Sequence, residues 1–399
     1  MNLNYKINYY KKNWPIFARL IPAPIRKIIW YIDEQIYYFQ LKKEGSIYSW
    51  TKFKNDPRIP NNLRIMIEDY IKFVNSNPDN VSKPWIQLGL RHVEQLIYGG
   101  YDNFKQTLAF KYFTVRADRN QDILQFLIDN NDKNVVEAAR IKSENIPPPT
   151  CFSSENGIKY NFTTLLLWKY ALKIGLDKYL DRLSEPLEGN PLSILIGDKN
   201  ITQDLINSTI EFSSIIEYPY FSKIKTIAEI GGGGGRDAFV FLKLAPQIRY
   251  VMIDIPPALY IQQQYLSSQF PNKKIFRYRH FDSFQEVEKE FNESDLIFLM
   301  SNQIEKLPPK TIDGCIAIDC LHEMSLMQIN WYFEQVNRIT KRFFYFKCWK
   351  DNKGHGEEDA GHLGENKYPI SPEWKKIYSR QCRVQPKYFE ALYDLGSLD

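Results

Sequence analysis

The chain changes its apolar rhythm near its middle. Through residues 1–150 apolar positions recur at helical spacing, as in Asn61 to Val74 and Asp118 to Asn131. Asp118 and Asn120 stand where an N-cap side chain would accept from the first free amides of a helix. The run Ile146-Pro147-Pro148-Pro149-Thr150 is stiff and extended, so it marks a boundary. A long helix is predicted over Phe162 to Leu183, carrying Leu165, Leu166, Trp168, Leu172, Leu176 and Leu180. After residue 222 short apolar runs take over, at Thr226 to Ile230, Arg249 to Ile253, Leu296 to Met300, Cys315 to Asp319 and Phe343 to Trp349. Most lack alternation, as strands buried on both faces do, and helical patterns separate them. The expected organisation is a helical N-terminal domain over 1–150, a helical connecting region over 151–221 and an α/β domain over 222–399.

Composition narrows the field. With 399 residues, 44% apolar and 15% aromatic, the chain can bury a sizeable core and is not disordered. A net charge of +5, from 52 basic and 47 acidic residues, is a weak bias without a dense basic cluster, so no nucleic-acid partner is expected. The cysteines Cys151, Cys315, Cys320, Cys348 and Cys382 form no Cys-x-x-Cys pair. Neither a zinc site nor a disulfide framework is indicated, and a reducing, cytoplasmic compartment fits best. No signal peptide is apparent, and Arg19, Pro22, Pro24, Arg26 and Lys27 interrupt the apolar stretch Trp14 to Ile32, which cannot span a bilayer. The segment Pro24 to Tyr38, with Lys11, Lys12, Arg26 and Lys27 near it, suits peripheral contact with an anionic membrane at its inner face. The favoured reading is a helix packed on its own protein, the commoner fate of amphipathic helices. A homo-oligomer is left open.

The informative segment is Ile227-Ala228-Glu229-Ile230-Gly231-Gly232-Gly233-Gly234-Gly235-Arg236-Asp237. A buried strand ends, glycines turn the chain, and a helix begins at Ala238-Phe239-Val240. Such a turn lets a ligand approach the backbone, and the helix N-terminus offers free N–H groups and positive dipole. A dinucleotide site wants G-x-G-x-x-G, but the third glycine is replaced by Arg236 in one frame and Asp237 in the next. The pattern acid-x-Gly-x-Gly-x-Gly is met by Glu229, Gly231, Gly233 and Gly235, and it resembles the first motif of class I methyltransferases. In that motif the turn, here including Gly232, holds the methionine part of S-adenosylmethionine, with the acid near its amino group. The competing reading is a glycine run without a ligand.

The next strand ends in Asp254, where a carboxylate can accept both ribose hydroxyls or simply face solvent. Ile255-Pro256-Pro257 then opens a helix through Phe270, with proline in its first turn. For the adenine contact there are two candidates. Lys274 to Tyr278 as the third strand would select Asp282. Leu296 to Met300 is more apolar, is favoured, and selects Ser301 or Asn302.

The fourth strand is followed by Asp319-Cys320-Leu321-His322-Glu323-Met324, the position where catalytic groups sit in such folds. A histidine of pKa about 6.5 suits removal of a proton from a hydroxyl during methyl transfer. Glu323 could orient the imidazole or act as base itself, and Asp319 could bind a divalent ion or the sulfonium side of the cofactor. His322 as a mere helix cap weighs equally. The loop with His355, Glu357, Glu358, Asp359 and His362 reads as a solvated segment, with a lid or metal site as the less favoured alternative. A divalent metal is thus allowed but not indicated. His280 and His92 are given no role. Tyr160, Trp168, Tyr218 and Tyr220 could stack on sugar faces, though aromatics are more often core.

From Glu185 onward the chain resembles the sugar O-methyltransferase family of surface-polysaccharide gene clusters. The likeness rests on Glu185-Pro186-Leu187-Glu188-Gly189-Asn190-Pro191, Asp204-Leu205-Ile206-Asn207-Ser208, the glycine turn, Asp254-Ile255-Pro256-Pro257-Ala258-Leu259 and His322-Glu323-Met324, with Gly99-Gly100-Tyr101-Asp102-Asn103-Phe104 as a further stretch. It implies a Rossmann-like class I methyltransferase fold, with a mainly parallel seven-stranded sheet and helices on both faces. It also implies S-adenosylmethionine as donor and a sugar or glycan hydroxyl as acceptor, and the connecting region 151–221 is the candidate acceptor lid. A looser similarity to plant-type O-methyltransferases places a catalytic histidine, followed by an acid, after the fourth strand, as His322-Glu323 stands here. Lys376 to Gln381 and Tyr388 to Leu392, joined by a very short connection, remain to supply the final antiparallel pair. Other hydroxylated acceptors and a non-catalytic assembly module are the rival readings.

Overall fold

The computed structural model describes residues 56–77, 83–107, 116–147, 154–350 and 367–396. The segment Pro24 to Tyr38, the prolines Pro148 and Pro149 with Thr150, and the loop of His355, Glu357, Glu358, Asp359 and His362 lie outside those residues.

Among the described residues the longer helices ahead of the first hairpin are α1 (Asn61–Ser76), α2 (Lys83–Gly99), α3 (Gln121–Asn130), α4 (Lys133–Asn145) and α5 (Ser154–Lys173). Asn120 caps α3, its side chain accepting from the Asp122 and Ile123 amides. Asp118 is not a cap. It is buried in the preceding turn, where its carboxylate takes both ends of the Arg116 guanidinium. The single helix expected over Phe162 to Leu183 is broken. Gly175 adopts φ +81° just past α5, and a short turn Asp177–Leu180 follows. Its N–H donates to Leu172 O and the Leu176 N–H to Ala171 O, the Schellman pattern that stops a helix at a left-handed glycine.

A hairpin, β1 (Ile194–Ile196) with β2 (Lys199–Ile201), leads into the buried helix α6 (Gln203–Ile215), capped by Thr202. The stretches around Gly100 and Gly189 dock on each other. The Tyr101 hydroxyl donates to Glu188, the Lys105 amide donates to Gly189 O, and a Cβ on Gly189 would sit 2.3 Å from the Phe104 ring.

The main sheet holds β3 (Thr226–Ile230), β4 (Arg249–Asp254), β5 (Ile275–Phe276), β6 (Leu296–Met300), β7 (Ile312–Ile318), β8 (Thr340–Trp349), β9 (Lys375–Gln381) and β10 (Tyr388–Asp394). Their order is β5-β6-β4-β3-β7-β8-β10-β9. The pairs from β5 through β8 are parallel, and β10 runs antiparallel to both β8 and β9. This is the Rossmann-like α/β arrangement expected, with eight strands in place of seven. The extra strand is the two-residue edge β5, which includes part of the Lys274 to Tyr278 run. The apolar Leu296 to Met300 run pairs directly with β4, because a strand buried on both faces needs neighbours on both edges.

Helices α7 (Arg236–Leu244), α8 (Ala258–Gln269) and α9 (Leu326–Ile339) follow β3, β4 and β7. Pro257 is the residue before α8, not within its first turn, and the Pro256–Pro257 bond is cis. One apolar cluster joins α1, α3, α5, α6, α7 and α8 to one face of the sheet, while a second packs α9 and Trp374 on the other. The sheet order reverses at β3, between β4 and β7, and this switch point is where a crevice opens at the carboxyl ends of the strands.

Candidate functional site

A cavity of about 570 Å³ occupies that crevice, a size usual for small-molecule sites. It is lined by Glu229, Gly231, Gly232, Gly233, Asp254, Ser301, Asn302, Asp319, His322 and Glu323. All of the candidate site residues except Gly235 therefore border one space. Gly235 is set one step back, at φ +79°, as the residue from which α7 starts. Asp282 is exposed, bonds His280 and does not border the cavity.

The glycine turn is fixed by its surroundings. Gly231 has φ +71°, and a Cβ there would lie 2.7 Å from the Cys320 Cβ. A side chain at this position would push β3 away from the end of β7. The Gly233 N–H donates to Asp254 Oδ2 at 3.0 Å. Gln262 on α8 donates to the same carboxylate and to Gly233 O, tying the turn, the end of β4 and α8 together. The Ile255 amide donates to Asp254 Oδ1 at 2.8 Å. Burial pushes the Asp254 carboxyl up to about 6, against these three donors. Burial also raises Glu229, to about 7, although the Tyr250 hydroxyl donates to it at 2.9 Å.

Beyond β6 the chain makes a tight turn carrying Ser301 and Asn302. The buried Asn302 Oδ1 has no partner among the described residues.

Beyond β7, Asp319 takes a left-handed backbone (φ +57°), unusual for a residue with a Cβ. Lys347, wholly buried on β8, lies 2.6 Å from Glu211 and 3.2 Å from Asp319. Arg236 reaches the same Glu211 and bonds Ser208 at 2.7 Å. Burial works against the Lys347 charge, but Asp319 and Glu211 raise its pKa overall. Glu211 is held low by Arg236 and Lys347 despite burial.

His322 is 3% exposed and stacks on Trp349 with ring centroids 4.5 Å apart. Burial, reinforced by Lys347, lowers its pKa to about 3, far from the value near 6.5 expected of it. The imidazole is neutral throughout the physiological range. Glu323 moves the other way: burial, with Asp319 nearby, raises it to about 8 against a hydrogen bond from Trp85. Among the described residues no group of three or more His, Cys, Asp or Glu side chains is arranged to hold a metal ion.

Several lining residues were not singled out from the sequence. The N-terminal helices contribute Tyr70, Phe73 and Trp85, and the sheet side contributes Trp331, Tyr332, Trp349 and Tyr388. Tyr160, Trp168, Tyr218 and Tyr220 do not line this cavity. Tyr160 and Tyr218 are buried, their hydroxyls bonding Leu192 O and Asp394. Trp349 was detectable as the last residue of a strand, the position where ligand groups collect. Lys347 was detectable as a charge inside the apolar run Phe343 to Trp349. Nothing local marks Tyr70 or Trp85, which reach the cavity only through helix packing.

No protein-family model matches the sequence, and no curated protein matches it. Solved structures similar to it include the PH0226 protein from Pyrococcus horikoshii OT3, at 16% identity and TM-score 0.32, over 47% of this chain and 89% of that one. A SAM dependent methyltransferase from Aquifex aeolicus is similar at 14% identity and TM-score 0.29, over 48% and 98%. Magnesium protoporphyrin IX methyltransferase from Synechocystis PCC 6803 with bound SAM is similar at 9% identity and TM-score 0.33, over 48% and 82%.

Proposed function

We propose that the chain is an S-adenosylmethionine-dependent O-methyltransferase acting on a hydroxyl of a sugar or glycan precursor. The observation that carries the cofactor class is the junction of Gly233 and Asp254, where a glycine turn and a strand-end carboxylate meet at the switch point of the sheet. The lining residues fit the cofactor group by group. Asp254 already accepts from Gly233, Gln262 and Ile255, and has about one lone-pair site left, on Oδ1, for a ribose hydroxyl. Asn302 Oδ1 is a buried acceptor without a partner among the described residues, suited to an adenine amino group. Glu229 and the amides of the turn suit the amino-acid end. The sugar acceptor rests on the resemblance around Glu185–Pro191 and His322–Met324, together with the aromatic planes of Trp331, Trp349 and Tyr388 at the cavity wall.

S-adenosylmethionine supplies an electrophilic methyl carbon on a sulfonium. The protein's work is then to hold the acceptor hydroxyl in line, exclude water and take the proton. A base in the cavity would take the proton of the acceptor hydroxyl. Glu323 is assigned this role, because its pKa of about 8 lies near working pH while that of His322, about 3, makes a poor base. His322, stacked on Trp349, forms the wall behind it. Asp319, held by Lys347, presents a negative charge towards the cofactor's cationic side.

Calorimetric titration with S-adenosylmethionine, S-adenosylhomocysteine and NAD tests the cofactor class. Binding of both adenosyl compounds and not of NAD is expected. Absence of adenosyl binding removes this reading. Among the described residues no helix is long and apolar enough to cross a membrane, and the proposed place of action, the cytoplasm or the inner membrane face, rests on the sequence alone.

A further inference from the structure

The methionine end of the proposed cofactor carries a carboxylate beside its ammonium, yet the wall around the glycine turn is acidic. Glu229, Asp254 and Asp319 all border the cavity. A carboxylate placed there needs a cation. Among the described residues, the lysines and arginines that border this space are Arg116, Arg236 and Lys306. Arg116 engages Asp118 through Nε and Nη2, at 2.7 and 2.6 Å. Lys306 belongs to the turn that carries Asn302, at the end assigned to adenine, and donates to Phe281 O. Arg236 stands directly after the last glycine of the turn, as the first residue of α7.

The Arg236 guanidinium is held from behind by α6. Both Nη groups reach Glu211, Nη2 lying 3.3 Å from Oε1, and Nη1 also donates to Ser208 Oγ at 2.7 Å. Asp237 Oδ2 lies 3.3 Å from Nη1. Glu211 thus takes the end of the fork. The side edge, made of Nε–H and the second Nη2–H, makes no hydrogen bond among the described residues. Two parallel donors on one edge are what a carboxylate accepts bidentately. The side chain is 16% exposed, and the space it borders is the cavity.

We infer that Arg236 binds the carboxylate at the methionine end of the cofactor, side-on through Nε and Nη2. The inference rests on the S-adenosylmethionine reading above. A guanidinium suits the task because it stays charged at working pH and is weakly hydrated, so a half-buried wall costs it little. Glu211 and Ser208 become positioning residues that aim the fork. Glu211 is shared with Lys347 at 2.6 Å, which fixes it from the sheet side. Ser208 closes the stretch Asp204-Leu205-Ile206-Asn207-Ser208, so the connecting region takes part in building the cofactor site. The residue that breaks the dinucleotide pattern is the one that fits an amino-acid ligand.

The test is calorimetric titration of the full chain with S-adenosylhomocysteine and with its decarboxylated analogue, which keeps the adenosine, the thioether and the amine. The wild type should bind the analogue about tenfold to a hundredfold more weakly, the scale of hydrogen bonds to a charged partner. In Arg236→Gln, which keeps a donor for Ser208, S-adenosylhomocysteine should weaken by that factor while the analogue stays within about twofold, so the gap closes. Arg236→Lys keeps the charge without the fork and should retain part of the gap. Equal binding of the two ligands by the wild type overturns the inference, with no variant needed. A gap undiminished in Arg236→Gln overturns it as well, and if that variant does not fold, a gap undiminished in Arg236→Lys does so instead. No binding of S-adenosylhomocysteine by the wild type overturns the methyltransferase reading itself, so the two failures are told apart.

Discussion

Lys347 holds Asp319 from both ends. Its ammonium sits 3.2 Å from Asp319 Oδ2, and its backbone carbonyl accepts the Asp319 N–H at 3.0 Å. A residue in the left-handed region costs about 1 kcal/mol or more and persists only where its neighbours over-determine it. Here β8 does so through one residue. The same ammonium neutralises Glu211, so Lys347→Met would leave two carboxylates near each other without it. A loss of about 3–5 kcal/mol is expected on urea denaturation, the scale for removing one member of a buried ion pair. Adding Glu211→Gln should return part of that loss. A cost under about 1 kcal/mol would mean that water replaces the ammonium at little penalty.

Asp254→Asn tests the ribose site without emptying the space. The amide keeps an acceptor oxygen but presents an N–H₂ group where Gly233 and Gln262 already donate. S-adenosylhomocysteine should bind about tenfold to a hundredfold more weakly, the scale of hydrogen bonds to a charged partner. An unchanged dissociation constant would place the ribose elsewhere in the cavity.

Cofactor binding should strengthen with pH. Glu229 and Asp254 are raised to about 7 and about 6, and it is their ionised forms that suit an ammonium and a ribose hydroxyl. Affinity for S-adenosylmethionine should rise from pH 5.5 to pH 8, with proton release visible as a buffer-dependent heat. Affinity that stays flat over this window would show that these carboxyls do not face the ligand. The sign for stability is opposite. An acid whose pKa is raised on folding stabilises below its unfolded value and loses that contribution as pH rises through the folded one. The ligand-free protein should therefore lose stability between about pH 4 and pH 8 from Glu229, Asp254 and Glu323. His322, lowered to about 3, acts in reverse: its contribution is present above about pH 6.5 and fades as pH falls towards 3. Melting curves with and without S-adenosylhomocysteine across this range are the check.

Glu323→Gln and His322→Ala separate the two candidate bases. Against a neutral methyl glycoside acceptor, Glu323→Gln should lower turnover about a hundredfold or more and abolish its rise near pH 8. His322→Ala should leave cofactor binding intact and cost less, through lost packing on Trp349. The reverse ranking would make the neutral imidazole the base.

The order of strands and helices after residue 222 was legible because each strand is a short apolar run closed by a turn signal, and such local patterns need no long-range information. Thr226 to Ile230 and Leu296 to Met300 match the observed strands to the residue. The break at Gly175 was also local, yet the apolar spacing of Leu176 and Leu180 continues across it and hides it. The glycine turn and Asp254 were legible for the same reason: each is a chemical group at a strand end.

The sequence by itself determined the fold class and the acids and glycines at the carboxyl ends of the strands, because period, turn chemistry and position along the chain are local properties. Only the tertiary structure decided what those groups become. Burial, which no window of sequence reports, turned His322 into a neutral ring and raised Glu323 towards working pH. Helix packing brought Tyr70 and Trp85 over a site whose other residues lie far along the chain. A lysine inside a strand became the anchor of Asp319 because Glu211, on a distant helix, lies against it. Desolvation and long-range pairing depend on what surrounds a residue in space, and that is fixed only when the chain has folded.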